Sequence, residues 1–336
     1  MKNYIAFILL LSFGLASCES TTDGGDIKTT SKGDRIFILN QGNFNSSNSS
    51  LDVLNNTTDT LTRDLVKPLG DVGNDLQYIN GKLYTVLDNS AKIEVINPDS
   101  PSVHHSISFP TGSAPWKILA ISATEALVSE NYTGVMAVVN LTTDAITKTI
   151  SIGAGQNSLV MIGGNVFATT GSNELVKIDP VLKTVTSQKY IGEKPQQIIV
   201  DTTLGMLVIQ TSGNYFPKTA GKILFVNPST MAIVDSIVLD TVTYVNQIVP
   251  AGNKVYMLLS NSIKVIDLAT HTISTDLLFT KPYYGGYFDA SKNLLFLGTA
   301  VDFTHNDVVD IFDLSTHSLK KTINCGIAPA FFAVVR

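Results

Sequence analysis

The stretch Lys222-Ile223-Leu224-Phe225-Val226-Asn227-Pro228 decides the fold. An apolar run, too short for a helix, ends in an asparagine and then a proline. The Asx side chain can accept hydrogen bonds from the backbone ahead of it, and proline presets φ, so the run closes in a turn. The same figure returns at residues 51–55, 93–97, 136–140, 175–179, 263–267 and 309–313, each ending in Asn or Asp. The seven terminal positions are 55, 97, 140, 179, 227, 267 and 313, a mean spacing of 43 residues. Pro98 and Pro180 repeat the proline step. A repeat of about 40–45 residues made only of strands predicts propeller blades.

Each unit divides into four strands, most clearly at residues 115–121, 125–129, 135–140 and 145–152. Strands such as Leu294-Leu295-Phe296-Leu297 are apolar on both faces, which suits sheets stacked face to face rather than sheets with one wet side. The ends carry a second clue. Residues 35–39 match a second strand, and no innermost strand precedes them, whereas Pro329-Ala330-Phe331-Phe332-Ala333-Val334-Val335 matches an innermost strand with nothing after it. Joining the two completes a seventh blade and pairs edges that would otherwise be exposed. The expected fold is therefore all-β: a seven-bladed β-propeller of four-stranded antiparallel blades over residues 34–336, its last blade closed by both termini. A pair of sandwiches would need a linker near the middle, a β-helix would need shorter repeats, and no convincing helical period is present outside the first residues.

Those first residues form a separate region. Lys2 and an apolar stretch lead to Leu15-Ala16-Ser17-Cys18, so residues 1–17 read as a signal peptide too short to span a bilayer comfortably. Small residues just before a cysteine are similar to the lipobox of bacterial lipoproteins. This similarity implies cleavage before Cys18 and lipid attachment to its sulfur. Residues 18–33 then form a polar, Gly-containing tether, whose last fifteen residues span roughly 20 Å as a coil. The chain holds 2 Cys. With Cys18 lipidated, Cys325 has no disulfide partner and reads as a small buried hydrophobe. With 44% hydrophobic residues, there is ample material for a core, and a net charge of −5 without any basic block argues against nucleic-acid binding.

In a propeller, the loops between second and third strands share one face with the loops that enter the innermost strands. That rim is expected to hold Asn40, Gln41, Asn43, Phe44, Asn131, Tyr132, Tyr215, Phe216, Tyr244, Tyr283, Phe303 and His305. Aligning the innermost strands places Leu76, Trp116, Ser158, Gln196, Asn246, Tyr284 and Ala330 near the channel mouth. Rings supply flat apolar area, and amides supply donors and acceptors. The set thus suits a large, mostly neutral ligand such as a carbohydrate, a peptide or a macrocycle.

Reactive chemistry is thin. His104 and His105 lie near a turn on the opposite face, and His271 and His317 follow the repeat turn. Residues 302–307 and the set Asp71, Asn74 and Asp75 are the candidate cation loops, but neither matches a known metal motif. Gly153-Ala154-Gly155 opens no helix, so it is not a phosphate cradle. No catalytic residue, metal site or cofactor is expected.

The seven repeats resemble the YVTN-type or YncE-like propellers, relatives of quinoprotein dehydrogenases, over residues 35–335. The opening Phe37-Ile38-Leu39-Asn40-Gln41-Gly42-Asn43-Phe44, with Asn48-Ser49-Ser50-Leu51, resembles the first blade of surface lipoprotein propellers of Bacteroidota. Some of these, the BtuG type, capture cobalamin for a TonB-dependent transporter, and a glutamate is more frequent where Gln41 stands. The resemblance implies an outer-membrane lipoprotein, on the cell surface or facing the periplasm, that binds a corrinoid or similar nutrient. Its contacts would come from Asn40, Gln41, Asn43, Phe44, Trp116, Asn131, Tyr132, Gln196, Tyr215, Asn246, Tyr284 and Phe303. Two alternatives stay open at this point: a quinone-dependent dehydrogenase-like or lyase-like propeller enzyme, and a propeller for adhesion or protein–protein interaction.

Overall fold

A computed structural model describes residues 33–276, 279 and 281–336; the leader, Cys18 and residues 19–32 lie outside them. The chain forms seven four-stranded antiparallel sheets. Six blades run in chain order with the innermost strand first: residues 73–108, 115–151, 156–190, 195–238, 247–276 and 283–324. The closing blade runs Thr60–Val66, Ser50–Asn55, Arg35–Asn40 and Pro329–Val335 from outside to inside. Arg35 pairs with Val335 and Phe37 with Ala333, so the two ends of the chain complete one sheet. The seven-bladed propeller read from the repeats is the fold. In the second blade the strands are Pro115–Ala120, Glu125–Glu130, Val135–Asn140 and Ala145–Ser151, within a residue of the expected bounds. One element was not foreseen: a two-stranded hairpin, Asn214–Tyr215 with Lys218–Thr219, on the rim of the fourth blade.

The repeat turn works as its chemistry dictates. Oδ1 of Asn55, Asn140, Asp179, Asn227 and Asp267 each accepts from the backbone N–H groups two and three residues ahead. Asn97 and Asp313 accept from the N–H two residues ahead. A short side chain thus replaces a turn's own hydrogen bond in every repeat, which is why this position is Asn or Asp.

Burial on both faces has a direct cause. Seven apolar clusters occur among the described residues, one for each blade-to-blade interface. Alternate residues of one strand serve opposite neighbours: Leu207 and Ile209 pack towards the third blade, and Val208 packs towards the fifth. Likewise Phe167 faces the fourth blade while Val166 and Ala168 face the second. Each such side chain contributes about 1.5–3 kcal/mol of burial, which favours a closed ring over any open array.

The closure itself is tightly fitted and polar. Asn40 is fully buried; its Nδ2 donates to Ser50 Oγ at 3.0 Å, and its Oδ1 accepts from Gly326 N at 3.1 Å. Asp52 Oδ2 accepts from the same Gly326 N–H. Gly298 is a close-approach position, since a Cβ there would stand 1.9 Å from the Pro329 carbonyl oxygen. Cys325 is fully buried, and burial pushes its thiol well above the ordinary range, as fits an inert packing residue.

Candidate functional site

The innermost strands surround a channel of about 780 Å³. Its entrance is shaped by a repeated device. In six of the seven blades the first bonds of the innermost strand carry a register shift, leaving an extra residue opposite the second strand. Such a bulge breaks the alternation of the strand and turns an additional side chain away from the sheet. The residues at the shift include Asn74, Trp116, Asn157, Tyr284 and Ala330, and in the fourth blade Gln196 and Gln197 together. All of them line the channel.

The bulges correct the alignment made from sequence. Trp116, Gln196, Asn246 and Tyr284 line the channel, as do Ser158 and Ala330. Leu76 does not; it is 2% exposed and packs between the closing and first blades, and Asn74 takes its place on the wall. Asn157 joins Ser158 for the same reason. Gln41 reaches the wall, whereas Asn40 is sealed into the closing blade and has no access to it. Asn43, Phe44, Asn131, Tyr132, Tyr215 and Phe303 are rim residues outside the channel wall. Tyr283, expected on the rim, is instead 2% exposed: its ring packs in the apolar interface between the fifth and sixth blades, and its hydroxyl donates to Asp310 Oδ2 at 2.6 Å. Phe44 is 63% exposed and Tyr132 74%. Two of the remainder connect to the wall: the Tyr215 ring lies 6.2 Å from that of channel-lining Tyr244, and Phe303 meets Tyr284 edge-on at 5.1 Å.

The wall carries eight amide side chains and five aromatic ones, among them Trp116, Tyr244, Tyr284 and Phe331. Several of the amides also lace neighbouring blades together. Asn157 Nδ2 donates to Pro195 O at 2.8 Å, Gln197 Oε1 accepts from Ile248 N at 2.8 Å, and Gln247 Oε1 accepts from Gly286 N at 2.6 Å. Asn246 Nδ2 donates to Tyr283 O at 3.0 Å. Asp75 performs the same task, its Oδ2 accepting from Ile118 N at 3.0 Å. These ties fix the side chains before any ligand arrives, which lowers the entropy lost on binding. Gln196 keeps its amide free of protein hydrogen bonds among the described residues, and Gln41 Oε1 is likewise unpartnered. Gln77, Asn157, Gln197 and Gln247 were missed in the sequence, although adjacent polar pairs at the strand entries (Gln196-Gln197, Asn246-Gln247, Gln156-Asn157) were a visible signal.

Three charged residues line the wall. Lys117 Nζ lies 3.5 Å from Asp75 and 4.3 Å from the centre of the Phe331 ring. Among the described residues Asp88 has no cationic partner. Burial pushes its carboxyl up to about 6, with the Asn74 amide pulling it down and the Asp71 carboxylate pushing it further up. Between them Val72 holds a φ of 55°, an uncommon conformation for a β-branched residue, on the turn that enters the first blade. The other candidate cation loop is occupied by its own chain: Asp302 Oδ1 accepts from Thr304 N and His305 N, and Oδ2 meets His305 Nδ1 at 2.7 Å. Those bonds hold Asp302 far below the usual carboxylate range. No three His, Cys, Asp or Glu side chains converge on one point among the described residues.

A family described as "Domain of unknown function (DUF5074)" matches residues 34–215, from the closing strands into the rim hairpin of the fourth blade. The chain belongs to this DUF5074 family. Among solved structures, the hydrazine synthase of Kuenenia stuttgartiensis superposes with a TM-score of 0.66 at 13% identity, covering 77% of this chain and 88% of that one. A structural-genomics protein from Lactobacillus plantarum superposes at 0.69 with 14% identity, covering 91% and 100%. No curated protein matches in sequence. At such identities the likeness speaks for the propeller fold alone, a scaffold on which enzymes and binding proteins are both built.

Proposed function

We propose that this DUF5074 protein is a lipid-anchored binding protein of the cell envelope. In this reading it captures a corrinoid such as cobalamin, or a nutrient of like bulk and chemistry, for a TonB-dependent outer-membrane transporter. The observation that carries the reading is the channel wall: five rings and eight amides, four of which (Asn157, Gln197, Asn246 and Gln247) are pre-fixed by ties between blades. A corrinoid presents peripheral carboxamides and broad apolar faces. Amides pair with the first and rings cover the second. A volume of about 780 Å³ falls among small-molecule clefts of ~300–1,000 Å³, and the rim rings extend the contact surface for a ligand that protrudes. Leu15-Ala16-Ser17-Cys18 supports the lipid anchor, and residues 37–51 support kinship with the BtuG-type and YncE-like propellers.

The test is titration of cyanocobalamin into the full chain by calorimetry. The chain has a single Trp, and it stands in the wall, so Trp116 fluorescence gives an independent reading of occupancy. Micromolar or tighter binding, quenching of Trp116 and at least tenfold weaker binding in Gln196→Ala are expected. Absence of both heat and quenching overturns the corrinoid assignment.

A further inference from the structure

Resting on the reading that the channel is the ligand site, we propose that it takes an amphiphile, with a neutral hydrogen-bonding head at the mouth and an apolar end seated below. The innermost strands start at the rim, so position along a strand measures depth, at roughly 3.3 Å per residue. In four adjacent blades the wall changes character along that direction. In the second blade Trp116-Lys117 give way to Ile118-Leu119-Ala120, and in the fourth Gln196-Gln197 give way to Ile198-Ile199. Leu159 follows Asn157-Ser158 in the third blade, and Ile248 follows Asn246-Gln247 in the fifth. The first blade departs from the pattern, since Gln77 lines the wall beyond Asp75, but its Nε2 donates to Asp75 Oδ1 at 3.1 Å.

The lower zone has surface to offer. Leu119 and Ile199 each pack partly into a blade interface, are only half-buried, and line the channel with the rest. Leu119 lies three residues beyond Trp116, roughly 10 Å deeper, which is room for a short alkyl chain. Water among aliphatic side chains is short of hydrogen bonds, so an apolar group that displaces it gains affinity.

The head is specified by the groups that the wall leaves unused. Asn157, Gln197, Asn246 and Gln247 serve the ties between blades. Among the described residues, the Gln196 amide is free and Gln41 Oε1 is buried with no partner. Gln41 Oε1 therefore calls for a ligand donor, and Gln196 can both donate and accept. Lys117 is committed to Asp75 and to the face of Phe331, so no cation of the described wall is left for an anionic head.

The experiment is calorimetric titration of butyl, hexyl and octyl glucoside, each below its micelle concentration, into the full chain, with Trp116 fluorescence followed in parallel. One saturable site is expected, with affinity rising about fourfold per methylene, the gain from burying one CH2. Octyl glucoside should bind at least tenfold more tightly than octanoate, whose head is anionic. Gln196→Ala should weaken all three glucosides at least fivefold, and Ala120→Phe, which fills the lower zone, should flatten the dependence on chain length. Leu182→Ser should change nothing, because Leu182 is 65% exposed on a repeat turn outside the channel. The chain-length series needs no substitution, so it decides the matter even where a variant fails to fold. The proposal is overturned by no saturable binding, by affinity independent of chain length, by octanoate binding as tightly as octyl glucoside, or by equal weakening in Leu182→Ser. Cyanocobalamin titrated alongside separates the two readings. Chain-length dependence without cyanocobalamin binding removes only the corrinoid assignment, and cyanocobalamin binding without chain-length dependence removes only the amphiphile.

Discussion

Substituting Asn40 separates a structural role from a ligand contact. In Asn40→Ala the closing blade loses the bond from Nδ2 to Ser50 Oγ and the bond accepted from Gly326 N, at 3.0 and 3.1 Å. Two buried hydrogen bonds at about 0.5–1.5 kcal/mol each, with Ser50 left short of a partner, amount to a loss of about 2–3 kcal/mol. The loss is bounded above because Gly326 N keeps Asp52 Oδ2 at 3.1 Å. Urea denaturation followed by tryptophan fluorescence and far-UV circular dichroism should show a lower midpoint with the slope unchanged, since the surface exposed on unfolding is the same. The folded variant should bind cyanocobalamin as the unsubstituted chain does, because Asn40 never reaches the channel. An unchanged midpoint together with weakened binding would refute the argument and return Asn40 to the ligand.

Further expectations follow from the same contacts. Gly298→Ala drives a Cβ to 1.9 Å from Pro329 O and should cost about 3 kcal/mol, read as a lower melting temperature and faster proteolysis of the C-terminal strand. Asp310 is held below the usual carboxylate range: burial opposes this, but Lys281, Thr322 and Tyr283 outweigh it. A depressed folded value means its stabilisation is complete above the unfolded value of 3.8 and is lost as pH falls through the folded one. Asp310→Asn should therefore lose about 3 kcal/mol at neutral pH, through the stranded partners, and show a shallower acid limb in pH-dependent melts. Phe216 is 94% exposed on the rim hairpin, so Phe216→Ser should change stability by no more than about 0.5 kcal/mol while reducing any self-association seen in light scattering.

The amino-acid sequence by itself determined the blade count, the turns and the closure. An Asx turn is made by one side chain and the two or three residues after it, so Asn227-Pro228 and its counterparts announce it locally. Apolar character on both faces, as in Leu207, Val208 and Ile209, needs only the knowledge that each blade has two neighbours. Placement on the channel wall was decided by tertiary structure. A bulge depends on how the innermost strand registers against the second strand, and a single-residue slip put Asn74 on the wall and Leu76 in the core. The same holds for Asn40, which differs from Gln41 by one position and by its burial in a blade assembled from both chain ends. Asp71 and Asp88 stand 17 residues apart in sequence. Only the return of the second strand beside the entry of the first brings their charges together, because electrostatic contact depends on distance through the fold rather than along the chain.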